Sequence, residues 1–171
     1  MNNPRQKFVE VARRYAGIRE FSPNRFDHDD EIWSSTSYPD GGKNREPYCA
    51  AFVCHVVATA DSESADLEFY NRPKCAAVRD WKDWARKPMN GVEIIEPGTK
   101  DPQPGDIVNF LPHISHIGIV TGFDAARNIV HTIEANTNDA GGREGDGIYE
   151  KERRMSICGE FYRLPARARH A

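Results

Sequence analysis

The sequence is short of the features that would mark a membrane protein, a disulfide scaffold or a nucleic-acid binder. Its opening stretch, "MNNPRQKFVEVARRYAG", contains no uninterrupted apolar run, so neither a secretory signal nor a membrane anchor is expected there. The expectation is a chain made and folded in the cytoplasm. There are only 4 cysteines, and no spacing between them forms a paired CxxC pattern. Reduced thiols are therefore expected, without a structural zinc. The formal net charge is only -3, which argues against nucleic acid as the main partner. No internal repeat, low-complexity block or shift of composition divides the chain.

What remains is the profile of a soluble globular domain, with 39% hydrophobic and 29% charged residues over 171 positions. One domain over 1–171 is expected, with a core from about residue 4 to 165 and a basic tail at 166–171. The closing stretch "RLPARARHA" carries Arg163, Arg167 and Arg169. It reads as a frayed, solubilising end, with contact to an anionic polymer as the alternative.

Asn3 and Pro4 resemble an N-cap and first helical position, and Phe8, Val11, Ala12 and Tyr15 follow at helical spacing until Gly17. A short helix is expected around Ile32 and Trp33, capped by Asp29 or Asp30. Asp27, Asp29 and Glu31 have the spacing of a calcium loop, but the glycine turn and the later glutamate are missing, so capping and solvated charge are the reading. "SYPDGGKNREP" is a surface loop. It delivers the chain to "CAAFVCHVVATA", apolar on most sides as a central helix would be. "KCAAVRDWKDWARK" is a further amphipathic helix, closed by Pro88. From residue 92 the pattern turns to short β-rich runs, "VEII", "DIVNF", "HIGIVTGF", "NIVHTIEAN", "GIYEKE" and "CGEFYRL". A helical first half and about six strands predict an α+β fold, with helices packed on a mostly antiparallel sheet.

Cys49 opens the central helix, where the helix dipole favours a thiolate. The preceding "EP" stops any helix, so the first amides lack intrahelical partners and can face an oxyanion. Cys54 lies about 140° further round and His55 about 120° off the Cys49 direction. Both read as packing residues. A thiolate needs a base, and the base needs an orienting group. His116 opens an apolar strand and is the best placed, with His113 in a nearby Pro-containing turn and His131 inside the next strand as competitors. Glu134 and Asn136, two apart, are expected on one strand face, where either could reach the far nitrogen of His116. On spacing alone, this arrangement and a set of unrelated core and turn residues fit equally well.

The succession "PYCAAFVCHV", "PQPGDIVNF", "SHIGIVTG" and "IEANTN" resembles the CHAP family, the cysteine, histidine-dependent amidohydrolases/peptidases of the papain-like class. The likeness runs over roughly residues 10 to 165. The family's Pro-aromatic-Cys-Ala-x-Phe-Val segment is met by Pro47, Tyr48, Cys49, Ala50, Phe52 and Val53, and its Pro-Gly-Asp strand opening by Pro104, Gly105 and Asp106. The resemblance implies a papain-like fold with Cys49 as nucleophile, His116 as base, Glu134 as the first choice to orient it, and Asn136 as second orienter or as an oxyanion or substrate contact. Tyr48 is an implied cleft residue, and Arg143, in the Gly-rich "DAGGREGDG" loop, is either a contact for a stem-peptide carboxylate or part of a plain hairpin loop. The resemblance also implies hydrolysis of an amide bond in bacterial peptidoglycan, by an amidase or a stem-peptide or cross-bridge endopeptidase, without a cofactor. Some relatives hold calcium before the nucleophile. Here that loop offers only Asp40 and Glu46 as acids, so no metal is expected.

"AGIRE", "NRFDHDDEIW" and "TNDAGGREGDGIY" resemble a subgroup seen in phage and other mobile-element proteins. The expectation is a monomer acting at the cell wall after lysis or export, as an endolysin or a secreted antibacterial effector, the latter with an immunity protein or delivery partner. A catalytically inactive wall-binding module is the alternative. A zinc site from Cys49, Cys54 and His55 is the third reading.

Overall fold

The computed structural model describes residues 4–64, 67, 69, 71–137 and 145–165. Among these, four helices come first: α1 (Gln6–Arg13), α2 (Asp29–Ser34), α3 (Cys49–Glu63) and α4 (Val78–Ala85). The strands follow: β1 (Glu93–Ile95), β2 (Ile107–Asn109), β3 (Ile117–Asp124), β4 (Ile129–Thr137), β5 (Gly147–Arg154) and β6 (Glu160–Arg163). All pair antiparallel in the order β1-β6-β2-β3-β4-β5. The expected α+β arrangement is present. No helix among the described residues is long and apolar enough to cross a membrane.

The helix α3 is apolar on all sides and is accordingly buried all round, from Cys49 through Val57 and again at Ala60. It packs on β3 and β4, with α1 and α2 against its other flanks. Two caps differ from the sequence reading. The first helix starts at Gln6, after Arg5, rather than behind an Asn3–Pro4 cap. In α2 the N-cap position is His28, and Asp29 turns inward instead, its Oδ2 lying 2.7 Å from Arg25 Nε.

Alternation along the strands splits the apolar residues between two clusters. Ile107, Ile117, Ile119, Ile133, Ala135 and Tyr162 face the helices. Val108, Phe110, Val120, Val130, Met155 and Phe161 form a second core on the opposite face. The central strands are therefore buried on both sides, and any polar side chain there needs a partner.

Asp106 shows how such a demand is met. Fully buried, it accepts from Arg163 Nε at 2.9 Å and Nη2 at 2.8 Å, and from the Gln103 amide at 2.8 Å. Arg163 is thus not the first residue of a loose basic tail but a strand residue in a buried ion pair; Arg167 and Arg169 lie outside the described residues. Gly105 before it has φ 88° and lies so close to the Arg5 carbonyl that a Cβ would stand 2.2 Å from its oxygen, which anchors the start of α1 to this turn. Replacing Asp106 by Ala strands the guanidinium. We expect a loss of about 3 kcal/mol in denaturant unfolding, the lower end for breaking a buried pair, because Glu93 remains 3.6 Å from Arg163 Nη1. An unchanged midpoint would show the pair to be dispensable.

Candidate active site

Cys49 sits at the head of α3 because Pro47 cannot extend the helix backwards. Tyr48, at the N-cap position, makes no side-chain bond to the first turn. Amides there remain available to another acceptor. Trp81 Nε1 donates to the Ala50 carbonyl at 3.2 Å and ties this turn to α4. Cys49 is 5% exposed, at the wall of a cavity of about 280 Å³ that it shares with Trp33, Tyr38, Pro47, Ala77 and Asn136. Gly41 is required beside Trp33, where a Cβ would fall 2.4 Å from the indole.

His116 stands immediately before β3, buried and stacked on Phe110 at 5.8 Å between ring centroids. Its Nε2 lies 2.9 Å from Glu134 Oε2. Glu134 carries a negative charge, so Nε2 bears the hydrogen and donates, leaving Nδ1 for exchange with sulfur. Nδ1 is buried without a hydrogen-bond partner of full geometry, and the Cys49 thiol is near enough to act on the ring. Burial alone would depress the imidazole, but contact with Cys49 and Glu134 overrides it and raises the pKa to about 9. The imidazolium therefore persists up to that pH. Its contribution to stability is full below the ordinary value near 6.5 and is lost as pH rises through about 9. A mechanism that needs imidazolium beside thiolate should accordingly show its alkaline limb of kcat/KM near pH 9. A limb near 6.5 would mean that the ring titrates as if free.

Glu134 projects from β4 toward the face away from α3, alternating with Ile133 and Ala135. It is 0% exposed. Thr132 Oγ1 donates to its Oε1 at 2.6 Å, Arg153 Nε donates to the same oxygen at 2.8 Å, and Arg153 Nη2 donates to Oε2. Burial pushes the carboxyl up, but the bonds from Arg153 and then His116 hold it down at about 2. Gly118 of "SHIGIV" makes room for it, since a Cβ there would lie 2.7 Å from Glu134 Cγ.

The structure therefore brings His116 and Glu134 into direct contact, with Cys49 facing the other side of the imidazole. Asn136 is parted from Glu134. A register shift lies between Ala135 and Thr137, and Asn136 takes φ 55°, a left-handed conformation that Asn tolerates better than most residues. Its side chain consequently lines the Cys49 cavity, and with Glu20, Phe21 and Asp146 it lines a neighbouring one. Tyr48 is not on the cavity wall as expected. It is 0% exposed, packed on Phe26 at 4.4 Å, and its hydroxyl is pushed upward by burial and by Glu20. The aromatic rings lining the cavity are those of Trp33 and Tyr38. Arg143 lies outside the described residues.

His55 is buried away from this centre, 2.7 Å from the Tyr15 hydroxyl and 3.2 Å from Ser35 Oγ, and burial lowers its pKa. Cys54 donates to the Cys75 carbonyl at 3.2 Å and accepts from the Cys75 amide at 3.0 Å. Neither joins Cys49. His113 is exposed, and half-exposed His131 lies 3.8 Å from Glu152 across the β4–β5 pair. Arg153, Thr132 and Phe110, which support the imidazole from behind, went unmarked in the sequence. The usable signal was a pair of polar residues, Thr132 and Glu134, at alternate positions of an otherwise apolar strand.

Among the described residues no three His, Cys, Asp or Glu side chains are grouped to hold a metal ion. Asp40 pairs instead with Lys43 at 2.7 Å. A thiol, an imidazole and a carboxylate in line beside a cavity can perform acyl transfer. In comparison with known proteins, the family model of the CHAP domain matches residues 38–136, more than half of the chain. No curated protein matches.

Proposed function

Because the chain belongs to the CHAP domain family, whose members hydrolyse peptidoglycan, we propose that it cuts an amide bond of the bacterial cell wall with Cys49 as nucleophile and His116 as acid and base. The observation that carries this reading is the His116–Glu134 bond of 2.9 Å, which holds the ring with Nδ1 toward Cys49.

The steps follow from the groups present. The Cys49 thiolate attacks the amide carbonyl carbon, and the oxygen takes up negative charge. Amides of the first turn of α3 are placed to receive that oxyanion, with Asn136 on the adjoining wall as a further donor. The C–N bond breaks as the His116 imidazolium passes its Nδ1 proton to the leaving amine. Water, giving a proton back to the same nitrogen, then attacks the thioester, and the C–S bond breaks to release the acid and restore the thiolate beside the imidazolium. Glu134 stays ionised throughout and holds the tautomer.

The finer assignment is to an N-acetylmuramoyl-L-alanine amidase or a stem or cross-bridge endopeptidase, working outside the cytoplasm as a phage-type lysin or an exported antibacterial effector. Digestion of purified sacculi, with mass spectrometry of the released fragments, tests it. New N-terminal L-Ala marks an amidase and internal stem-peptide ends an endopeptidase. If no fragment is released, a wall-binding module replaces the hydrolase.

A further inference from the structure

The support behind His116 converges on one side chain. Arg153, on β5 opposite Val130 of β4, is 7% exposed. It makes two bonds to Glu134, through Nε at 2.8 Å and through Nη2. Its guanidinium carbon also lies 5.4 Å from the centroid of the Phe110 ring, which in turn stacks on His116. The imidazole is thus held by a hydrogen bond to Glu134 and by stacking on Phe110, and Arg153 touches both.

Charge counting gives this contact a chemical meaning. A reactive site contains Cys49 as thiolate, His116 as imidazolium and Glu134 as carboxylate, two negative charges and one positive, with the ring and the carboxylate buried behind the cavity wall. A buried net charge is costly, and the cheapest relief is to protonate one of the anions. Arg153 brings the sum to zero. Among the described residues, the titratable groups around it are few. Glu134 is faced by His116 from the turn before β3 and by Arg153 from β5. Cys49 faces His116 from α3. Cys158 approaches Arg153 from the segment before β6, and burial pushes its thiol up to about 12, so it stays neutral.

We propose that Arg153 is a positioning residue of this site, whose fork fixes Glu134 and Phe110 behind His116 and whose charge permits Cys49 and Glu134 to be anionic together. The proposal rests on the reading of Cys49 and His116 as a reactive pair. It does not require that the substrate be peptidoglycan.

Peptide-resolved alkylation of Cys49 by iodoacetamide, followed as a function of pH, reads thiolate formation without any substrate. In Arg153→Met the acid limb should move upward by about one pH unit, and the acid limb of kcat/KM on sacculi should move with it. Arg153→Lys retains the charge but not the fork. Its limb should stay near that of the wild type while the plateau rate falls. Where Arg153→Met does not fold, Arg153→Gln, neutral but still able to donate to Glu134, is expected to shift the limb in the same direction. A limb unmoved in the neutral variants, with only a lower Tm or a uniform loss of rate, makes Arg153 an ordinary structural ion pair and overturns the proposal. So does a Lys variant shifted as far as the neutral ones. A wild-type protein that alkylates with this profile yet releases nothing from sacculi would sink the hydrolase reading and leave this one standing.

Discussion

Cys49→Ala should abolish release of fragments from sacculi, with kcat/KM lower by roughly a million-fold, the scale seen when a covalent nucleophile is removed. The loss is expected to be this large because no neighbouring group can substitute. The other three thiols are buried, and Cys54 is committed to the backbone of Cys75. With the sulfur gone, His116 could at best activate water weakly through Nδ1. The fold should survive, since Cys49 occupies a cavity wall and Ala is a better helix former; the Tm should move by no more than a few degrees. Equal release by the wild type and Cys49→Ala would remove the thiol from the mechanism.

Glu134→Ala should damage the protein twice. Without the carboxylate the imidazole loses its fixed tautomer and the partner of its cationic form, and kcat/KM is expected to fall roughly 10³- to 10⁴-fold. Separately, the Arg153 guanidinium is left in a buried site without its counter-charge, a loss of about 3–5 kcal/mol in unfolding free energy. The two effects can be parted with Glu134→Ala/Arg153→Met. Stability should recover by a substantial fraction in the double variant, whereas activity should not. Additive losses of stability would mean that the ion pair contributes little. The pH dependence carries its own sign: the Glu134 carboxyl is held at about 2, below its ordinary 4.5. Its contribution is therefore complete above about 4.5 and disappears as pH falls toward 2.

The sequence carried the nucleophile's helix and the β3–β4 hairpin clearly, because each is written in local pattern. An all-round apolar run after "EP" can only be a buried helix, and "HIGIVTGF" followed by "NIVHTIEAN" pairs as its spacing suggests. For Asn136 only the strand face differs from the sequence reading, and its place beside Cys49 fits the oxyanion or substrate contact that reading also allowed. Strict alternation put Glu134 and Asn136 on one face, and only the bulge beside Ala135 turns Asn136 toward Cys49. Arg153 was hidden just past the "GIYEKE" run, among charged neighbours that give no local signal of burial. The register of β5 against β4 sets Arg153 opposite Val130, on the face that Glu134 shares, and its long side chain reaches back along that face to a residue 19 positions away. Tyr48 and Tyr38 could not be distinguished by chemistry. The loop path through Gly41 makes Tyr38 the ring on the wall.

The division of labour between the two faces of the sheet bears on how such a protein could be altered. The cavity wall is drawn largely from helix ends and connecting segments, Trp33, Tyr38, Glu46 and Pro47, then Ala76 through Val78, together with the head of α3 and the bulged Asn136. The support of the imidazole is drawn from β4, β5 and the Phe110 turn, and the bare backbone of Gly118 on β3 leaves the room that Glu134 occupies. The cavity rim and the support of the imidazole are therefore largely separate inheritances, which meet at Cys49 and Asn136. A library built on the loops could explore new substrates while the chemistry is conserved, whereas Gly118, Phe110, Thr132, Glu134 and Arg153 would have to be transplanted together, as a single unit, into any other scaffold.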